Sequence, residues 1–406
     1  MSVITAKPAS HCRLAIALVS NAIVISTVAK VTEKLSCTTA SAHGCVVGDI
    51  VYVVFATLYT SKLYTCLTGT TASTLIIAGT WSATTTGTMT KAKLLPCHTP
   101  VMSLEGTPVL YDPDRNSRHA APSGKTLIHN VFSHKMPLYL PRDAGEVTDI
   151  TALLDCILLP AGFGKTAITT GGGDECTGFA YRHADDTHSY DKAHIAYEEV
   201  TDREGAADCA TSFGLNFSVE GGCWIDPIET KGKHLTIDVG VTAMGYPDLD
   251  ALPPVLQNCY FKLGAYGSAY PSDYLALRSF VFKDGNEVGI RGDGGSENAV
   301  AGVMIGGSLE NRTVELELEM PAVHTSFPWQ TYLKETQLLK FQMTLLGLAT
   351  GTFGARINGV FEVRNKIDRG VNGPVRTIKI SGPVIEQLAA APAEPFEILL
   401  GAGFTV

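Results

Sequence analysis

Residues 313–320 read Thr313-Val314-Glu315-Leu316-Glu317-Leu318-Glu319-Met320. Apolar and acidic side chains alternate there without a break. Successive side chains of an extended strand point to opposite faces, so a period of two predicts a strand. Val314, Leu316, Leu318 and Met320 make the face that turns to a core. Glu315, Glu317 and Glu319 make the other, which faces water or a charged partner. A helix would spread both sets around its circumference and leave no clean apolar stripe.

Working outward, residues 275–283, 338–348 and 375–380 have strand composition, and Phe396-Glu397-Ile398-Leu399-Leu400 reads as a last apolar strand. Upstream, 213–219 and 234–241 repeat the alternation and 125–140 is strand-like. Pro253 and Pro254 break the chain before Tyr260-Phe261-Lys262-Leu263-Gly264. The best helix begins at Thr148, which is placed to cap free amides, and Asp149 suits the positive helix end. Leu153, Leu154, Ile157 and Leu158 share one face, and Pro160 and Gly162 end it. Residues 329–335 read as a short helix.

The first 93 residues differ from the rest. They are rich in Thr, Ser and Val, and Gly69, Gly79 and Gly87 separate short apolar runs at 46–53, 63–67 and 74–77. That spacing predicts a small barrel or sandwich. The expected organisation is a small β-rich N-terminal domain or decoration over 1–93 and a main β domain over 94–406. The apolar run 14–28, preceded by Lys7 and Arg13, has the outline of a secretory leader. Ser20 and Asn21 interrupt it and β-branched residues fill its second half. It therefore reads as two buried strands with a Ser-Asn turn, too short and too polar for a membrane span.

Of 406 residues, 45% are hydrophobic, 17% are charged and 40 are glycine. Such a chain is too apolar for intrinsic disorder and too poor in charge for a coiled coil. The low charge suits a surface covered by other subunits. The net charge of −9, with no Lys/Arg cluster, argues against a protein that grips nucleic-acid phosphates. The cysteines (Cys12, Cys37, Cys45, Cys66, Cys97, Cys156, Cys176, Cys209, Cys223 and Cys259) include no Cys-x-x-Cys pair, so no structural zinc is expected. They read as free buried thiols of a reducing compartment; Cys37 and Cys45 flank a Gly-bearing turn and could pair if the chain were exported.

The motifs that carry chemistry are weak. Gly162-Phe163-Gly164-Lys165-Thr166 resembles a phosphate loop, but Leu159 stands where the first glycine belongs, and the motif follows a helix instead of a strand. It reads as a helix C-terminal turn. His183, His188 and His194 lie among Asp185, Asp186 and Asp191 at spacings of five and six, which fit no helical metal motif and indicate an exposed loop. Arg291-Gly292-Asp293 reads as a Gly-rich turn, and the Asn216 and Asn311 sequons matter only in a secreted protein. No nucleophile elbow, kinase or dinucleotide fingerprint is present. No catalytic residue, cofactor or metal is expected, and the chain reads as a non-enzyme.

The order of pieces from about Leu94 onward resembles the major tail tube proteins of long-tailed, siphovirus-like bacteriophages. Met102-Ser103-Leu104-Glu105-Gly106 followed by Asp112-Pro113-Asp114-Arg115 is similar to that family's first strand and long loop. The helix ending Ala161-Gly162-Phe163-Gly164-Lys165-Thr166 resembles its single packed helix. Pro253-Pro254 through Asn258 to Phe261, Ser279-Phe280 through Gly285-Asn286 to Val288, and Pro328-Trp329 onward resemble its later strands, hairpin and short helix. The first 93 residues resemble no tube element. The resemblance implies an antiparallel β-sandwich or barrel of the tail-tube type with one packed helix. It also implies hexameric rings stacked head to tail around a lumen through which genome DNA passes without specific binding.

On that resemblance the chain's partners are itself and the tail terminator, distal tail and tape-measure proteins, with no membrane. Its place is the virion tail, assembled in the host bacterial cytoplasm. The acidic row Glu315, Glu317 and Glu319 is the candidate lumen face. The loop bearing Asp112, Asp114, Arg115 and Arg118 is the candidate contact between rings. Phe396, Ile398 and Leu400, on an apolar strand with no guarding charge, are candidates for edge pairing with a neighbouring subunit. The alternative from another class is a secreted or surface carbohydrate-binding or adhesin protein with disulfides, for which the three tryptophans, among them Trp81 and Trp224, are few. The run 14–28 is expected to stay on the protein, so intact-mass measurement of expressed protein should show no loss of about 29 residues.

Overall fold

In the computed structural model Thr313–Pro321 is a strand, and its faces divide as their chemistry requires. Val314, Leu316, Leu318 and Met320 are fully buried, whereas Glu315, Glu317 and Glu319 remain partly exposed. The structure describes residues 13–59, 62–95, 98–110, 123–136, 138–169, 176–183, 191, 193–199, 202–206, 214–220, 224–225, 228–234, 237–238, 259–283, 285–292, 300–307, 312–321, 332–334, 336–347, 352–372, 375–385 and 396–404. The chain is mainly β, in antiparallel sheets.

Strand β1 (Arg13–Leu18) passes through a single 3-10 turn at Val19–Asn21 into β2 (Ile23–Val31). Then come β3 (Lys34–Thr39), β4 (Ile50–Phe55), β5 (Lys62–Thr65), β6 (Thr74–Ala78) and β7 (Gly87–Lys91). The expected Ser-Asn turn forms, but the strands it joins enter different sheets. β2 to β7 make a six-stranded sheet in the order β5-β4-β7-β2-β3-β6. The Leu67 N–H donates to the Ile76 carbonyl at 2.7 Å, which draws the two ends of that sheet together into a roll. Its interior is apolar and includes Val28, Leu35, Val53, Phe55, Leu75, Ile77 and Met89 together with Cys37, Cys45 and Cys66.

β1 instead lies between β8 (Lys93–Leu95) and β13 (Ala193–Glu199). The Ser20 N–H and hydroxyl both donate to the Asp191 carboxylate, which fastens the turn after β1. Ala15 and Ala17 pack against Ile50, Tyr52, Leu63 and Ala92. One face of β1 thus seals the outside of the roll, while Ile16 and Leu18 on its other face join the main core.

The rest of the chain supplies β9 (His98–Leu110), β10 (Ser123–Met136), α1 (Ala144–Leu158), β11 (Phe163–Ile168), β12 (Thr177–His183), β14 (Asp202–Ala206), β15 (Gly214–Glu220), β16 (Trp224–Ile225), β17 (Ile228–His234) and β18 (Ile237–Asp238). It continues with β19 (Cys259–Ala265), β20 (Ala276–Lys283), β21 (Asn286–Gly292), β22 (Val300–Gly307), β23 (Thr313–Pro321), β24 (Leu338–Leu346), β25 (Phe353–Glu362), β26 (Asn365–Asn372), β27 (Val375–Pro383) and β28 (Phe396–Ala402). A nine-stranded sheet runs β26-β27-β23-β20-β15-β17-β10-β9, with β16 attached to β15. A six-stranded sheet runs β11-β12-β28-β25-β24-β19. β20 and β21 flank Gly285 but do not pair with each other: β20 lies between β15 and β23, and β21 pairs with β22. The residues expected to form a proline break at 253–254 lie outside the described residues, as does most of the short helix at 329–335. Of the strand expected at 234–241, the described residues give the end of β17 and β18.

The two large sheets pack face to face. Phe282 of β20 stacks on Phe396 of β28 with centroids 3.8 Å apart and planes 6° from parallel. Phe280 meets Phe341 of β24 at 5.3 Å, and Phe341 meets Phe361 of β25 at 6.1 Å. The helix α1 lies on this same face of the six-stranded sheet, beside the nine-stranded one. The Tyr181 hydroxyl of β12 donates to the Thr151 carbonyl and to Asp155 Oδ1 at 2.7 Å.

The helix starts a turn earlier than its apolar pattern indicates. Asp143, not Thr148, is the N-cap: its Oδ1 accepts from the N–H of Gly145 and of Glu146. Glu146 reaches back to the Arg142 N–H at 2.7 Å, so three otherwise free amide groups at this end are satisfied by carboxylates. Gly145 disguised this start in the sequence. At the other end Gly162 has φ +90°, a left-handed conformation that ends the helix and that a Cβ would strain.

β28 corrects one expectation. Phe396, Ile398 and Leu400 are not available to a neighbouring subunit, because β28 is bonded to β12 on one side and β25 on the other and these side chains fill the sandwich core. An unguarded apolar strand is safe when both of its edges are taken. Phe396→Ala should destabilise the protein by about 3–5 kcal/mol, because it removes a stacked ring from a closed core. Denaturant unfolding checks this, and a loss below about 1 kcal/mol would mean the ring is not held as described.

Candidate functional site

The open face of the nine-stranded sheet carries the acidic row, and the register decides what that row meets. Glu315 lies opposite Val281 and Ser381, and Glu317 lies opposite Ser279 and Lys379. Lys283 Nζ is 3.1 Å from Glu315 Oε1, and Lys379 Nζ is 3.7 Å from Glu315 Oε2. Arg369 Nη1 donates to Glu317 Oε2 at 3.3 Å, and Arg278 bonds Glu319 Oε2 at 2.6 Å. The strand alternates as its sequence predicts, but the face is not an acidic one. Neighbouring strands set Arg278, Lys283, Arg369 and Lys379 among the glutamates and balance their charge.

Both arginines come from irregular places. On β20 the register against β23 shifts between Leu277 and Ser279, which leaves Arg278 as the extra residue. On β26 the register against β27 shifts between Asp368 and Val371, across Arg369 and Gly370. A bulge re-aims a side chain that strict alternation would send elsewhere. Sequence periodicity cannot reveal such residues, since the bulge is a break in the period. The only cue is Gly370, whose φ is +118°.

The nine-stranded sheet also ends in long strands. Among the described residues β9 forms one edge and β26 the other. Among the described residues β10 pairs with β17 over Asn130–Met136, and Ser123–Thr126 of β10 pairs with Thr107–Leu110 of β9 as a two-stranded arm beyond that register. The loop with Asp112, Asp114, Arg115 and Arg118 joins the ends of this arm and lies outside the described residues.

The remaining sequence candidates resolve as follows. Lys165 donates to Asp155 Oδ2 at 2.7 Å and stands 4.5 Å over the Phe179 ring, so the residue that would hold a phosphate is already engaged. Gly162 belongs to the turn after α1, and Phe163 to Thr166 begin β11. His183 ends β12 and His194 lies on β13, in different sheets, while His188 lies outside the described residues. Arg291 and Gly292 lie on β21, not in a free turn, and Asp293 is outside the described residues. Among the described residues no group of three or more His, Cys, Asp or Glu side chains could hold a metal ion.

On the outer face of the six-stranded sheet, Arg356 is buried and its Nε donates to Thr344 Oγ1 at 2.8 Å. Burial pulls its guanidinium down to about 10 from its ordinary value, while Glu397 nearby acts in the opposite sense. Glu397 accepts from Arg182 at 3.1 Å and from Asn358 at 2.9 Å. This is a polar network on the outer sheet face. Cys37, Cys45, Cys66, Cys156, Cys176 and Cys259 are all free thiols, and all but the half-buried Cys259 are buried. Among the described residues no helix is long and apolar enough to cross a membrane.

No protein-family model matches this chain, and no curated protein matches it.

Each exposed ion pair on the open face contributes only about 0–1 kcal/mol to stability. Its effect on surface charge is larger. Replacing Glu315, Glu317 and Glu319 together by Gln should leave the melting temperature within a few degrees and shift elution from a heparin column to higher salt, because four cations lose their counter-charges. Unchanged elution would show that the glutamates do not mask these cations.

Proposed function

We propose that this chain is a structural subunit of a phage tail tube, assembling into stacked six-membered rings in the virion with no catalytic role. The observation that carries the reading is the nine-stranded sheet: β20, β23 and β27 turn one face into the sandwich core, their other face is ion-paired, and among the described residues long strands form both edges. A sheet with open edges is a template for pairing with another chain. Pairing β9 of one copy with β26 of the next, repeated around a closed ring, would join the sheets into one barrel. The ion-paired face would then line the lumen.

That lumen chemistry suits passage of DNA. Free cations along a conduit would hold phosphates by releasing counterions. Here each described cation of the row has a carboxylate within 4 Å. The low proportion of charged residues fits a chain whose surface is largely covered by copies of itself and by terminator, distal tail and tape-measure partners. The arm formed by β9 and β10, with the loop carrying Asp112, Asp114, Arg115 and Arg118, would make the contact from ring to ring.

Negative-stain electron microscopy of purified protein, over rising concentration and time, tests the assembly: rings or hollow tubes are expected, and persistently monodisperse monomer counts against it. Deleting residues 111–118 should leave a folded, soluble chain that forms no tubes, and tubes that persist would remove that loop from the ring-to-ring contact. A triple Glu→Lys variant at 315, 317 and 319 should assemble but slow the delivery of DNA. Normal delivery would place another face on the lumen.

A further inference from the structure

One mouth of the roll formed by β2 to β7 is crossed by the chain, and a buried histidine holds that crossing down. β3 and β4 follow each other in sequence, but β2 and β7 lie between them in the sheet, so residues 40–49 have to span the end of the roll. The crossing is bonded on both flanks. The Thr39 N–H donates to the Ser73 carbonyl at 2.9 Å and the His43 N–H to the Ala72 carbonyl at 3.0 Å, along the turn before β6. The Gly48 N–H donates to the Cys66 carbonyl at 2.8 Å, just after β5. Lys91 Nζ, at the end of β7, donates to the Gly44 carbonyl at 2.9 Å. Among these anchors His43 is only 5% exposed. Its Nδ1 accepts the Cys45 N–H at 3.0 Å, and its Nε2 is buried with no hydrogen bond among the described residues. The ring is therefore neutral with its hydrogen on Nε2, because an Nδ1 that accepts a hydrogen bond cannot itself carry a proton.

We propose that His43 is an acid-sensitive latch: the neutral ring fastens residues 40–48 across the mouth of the roll, and a proton on Nδ1 releases them and opens the apolar interior at that end. Protonation turns an acceptor into a donor. Two N–H groups would then face each other across 3.0 Å, and a cation would stand in a buried position. The crossing accommodates neither in place, so it lifts for the ring to charge. The charged groups around the ring are Lys91 and Asp49, which pair at 2.7 Å. Asp49 Oδ2 also accepts the Val46 N–H at 2.7 Å, so this carboxylate is already engaged. The titratable groups of the interior are the thiols of Cys37, Cys45 and Cys66 and the phenols of Tyr59 and Tyr64, which carry no charge at acid pH. Burial pulls the His43 imidazole below its ordinary value of 6.5; Lys91 acts in the same sense, and the Thr74 main chain and Asp49 act against it. As pH falls, a lifted segment therefore takes up the proton before a fastened one does. The latch has its full strength above the ordinary value and loses it as pH falls from there through the folded one.

The test is hydrogen–deuterium exchange of the native full chain between about pH 7.5 and about pH 5, read by mass spectrometry and corrected for the intrinsic effect of pH on exchange. Peptides within residues 40–48 report the latch, and peptides within β24 report the main core. Protection in 40–48 should begin to fall near pH 6.5 and drop by about tenfold or more by about pH 5, while β24 keeps its protection. His43→Asn puts a neutral carbonyl oxygen where Nδ1 stands, so in that variant the protection of 40–48 should not change over this range. Protection of 40–48 that holds down to about pH 5 and falls only where carboxylates titrate would overturn the proposal. So would a fall shared equally by 40–48 and β24, which is global unfolding, or a His43→Asn chain that opens with acid as the wild type does. The wild-type outcomes are read on the unmutated chain and do not depend on how the variant folds.

Discussion

The face-to-face burial of aromatic rings between two antiparallel sheets is the constraint on which the rest of this structure depends. Phe282 on Phe396, with Phe280, Phe341 and Phe361 around them, joins strands that lie far apart in the chain. Once those rings are enclosed, each strand that carries them has one face committed to the core. Its alternate residues must then face outward, whatever they are. The glutamates of β23 stand on an open face because Val314, Leu316, Leu318 and Met320 are fully buried on the other. α1 completes the enclosure, and the bond from Tyr181 to Asp155 ties it to β12. Burial and the Asp155 carboxylate push the Tyr181 hydroxyl up, so it remains a donor across the physiological range.

The open face shows how pairing changes the meaning of a sequence pattern. Along β23 alone the row is acidic. Across the sheet it is a ladder of ion pairs, two of whose cations, Arg278 and Arg369, arrive from bulges on the flanking strands. A strand supplies one side of an electrostatic pattern and its neighbours supply the other. For a surface that meets a polyanion the distinction matters. Excess negative charge repels at a distance, whereas paired charge leaves little field beyond a Debye length and little to hold a phosphate on contact.

The order of the elements was largely legible. Strong alternation at 313–320, the apolar run at 396–400 and the amphipathic helix ending at Leu158 all appear as elements of those types. What was not legible is where elements meet. Leu14 to Leu18 reads as a companion of the strand after it, yet β1 pairs with β13, about half the chain away. Phe396 to Leu400 reads as an exposed edge, because hydrophobic composition cannot distinguish an edge strand from one held on both sides.

The sequence by itself determined the class of structure and the sidedness of its strands, because side-chain alternation and helical periodicity are local consequences of backbone geometry. It also determined where the helix stops, since Gly162 takes a conformation that other residues resist. Only the tertiary structure decided which strand lies beside which, and with that the charge balance of the open face and the burial of β28. Those features arise from contacts between residues distant in sequence, and no period within a single segment encodes its partner.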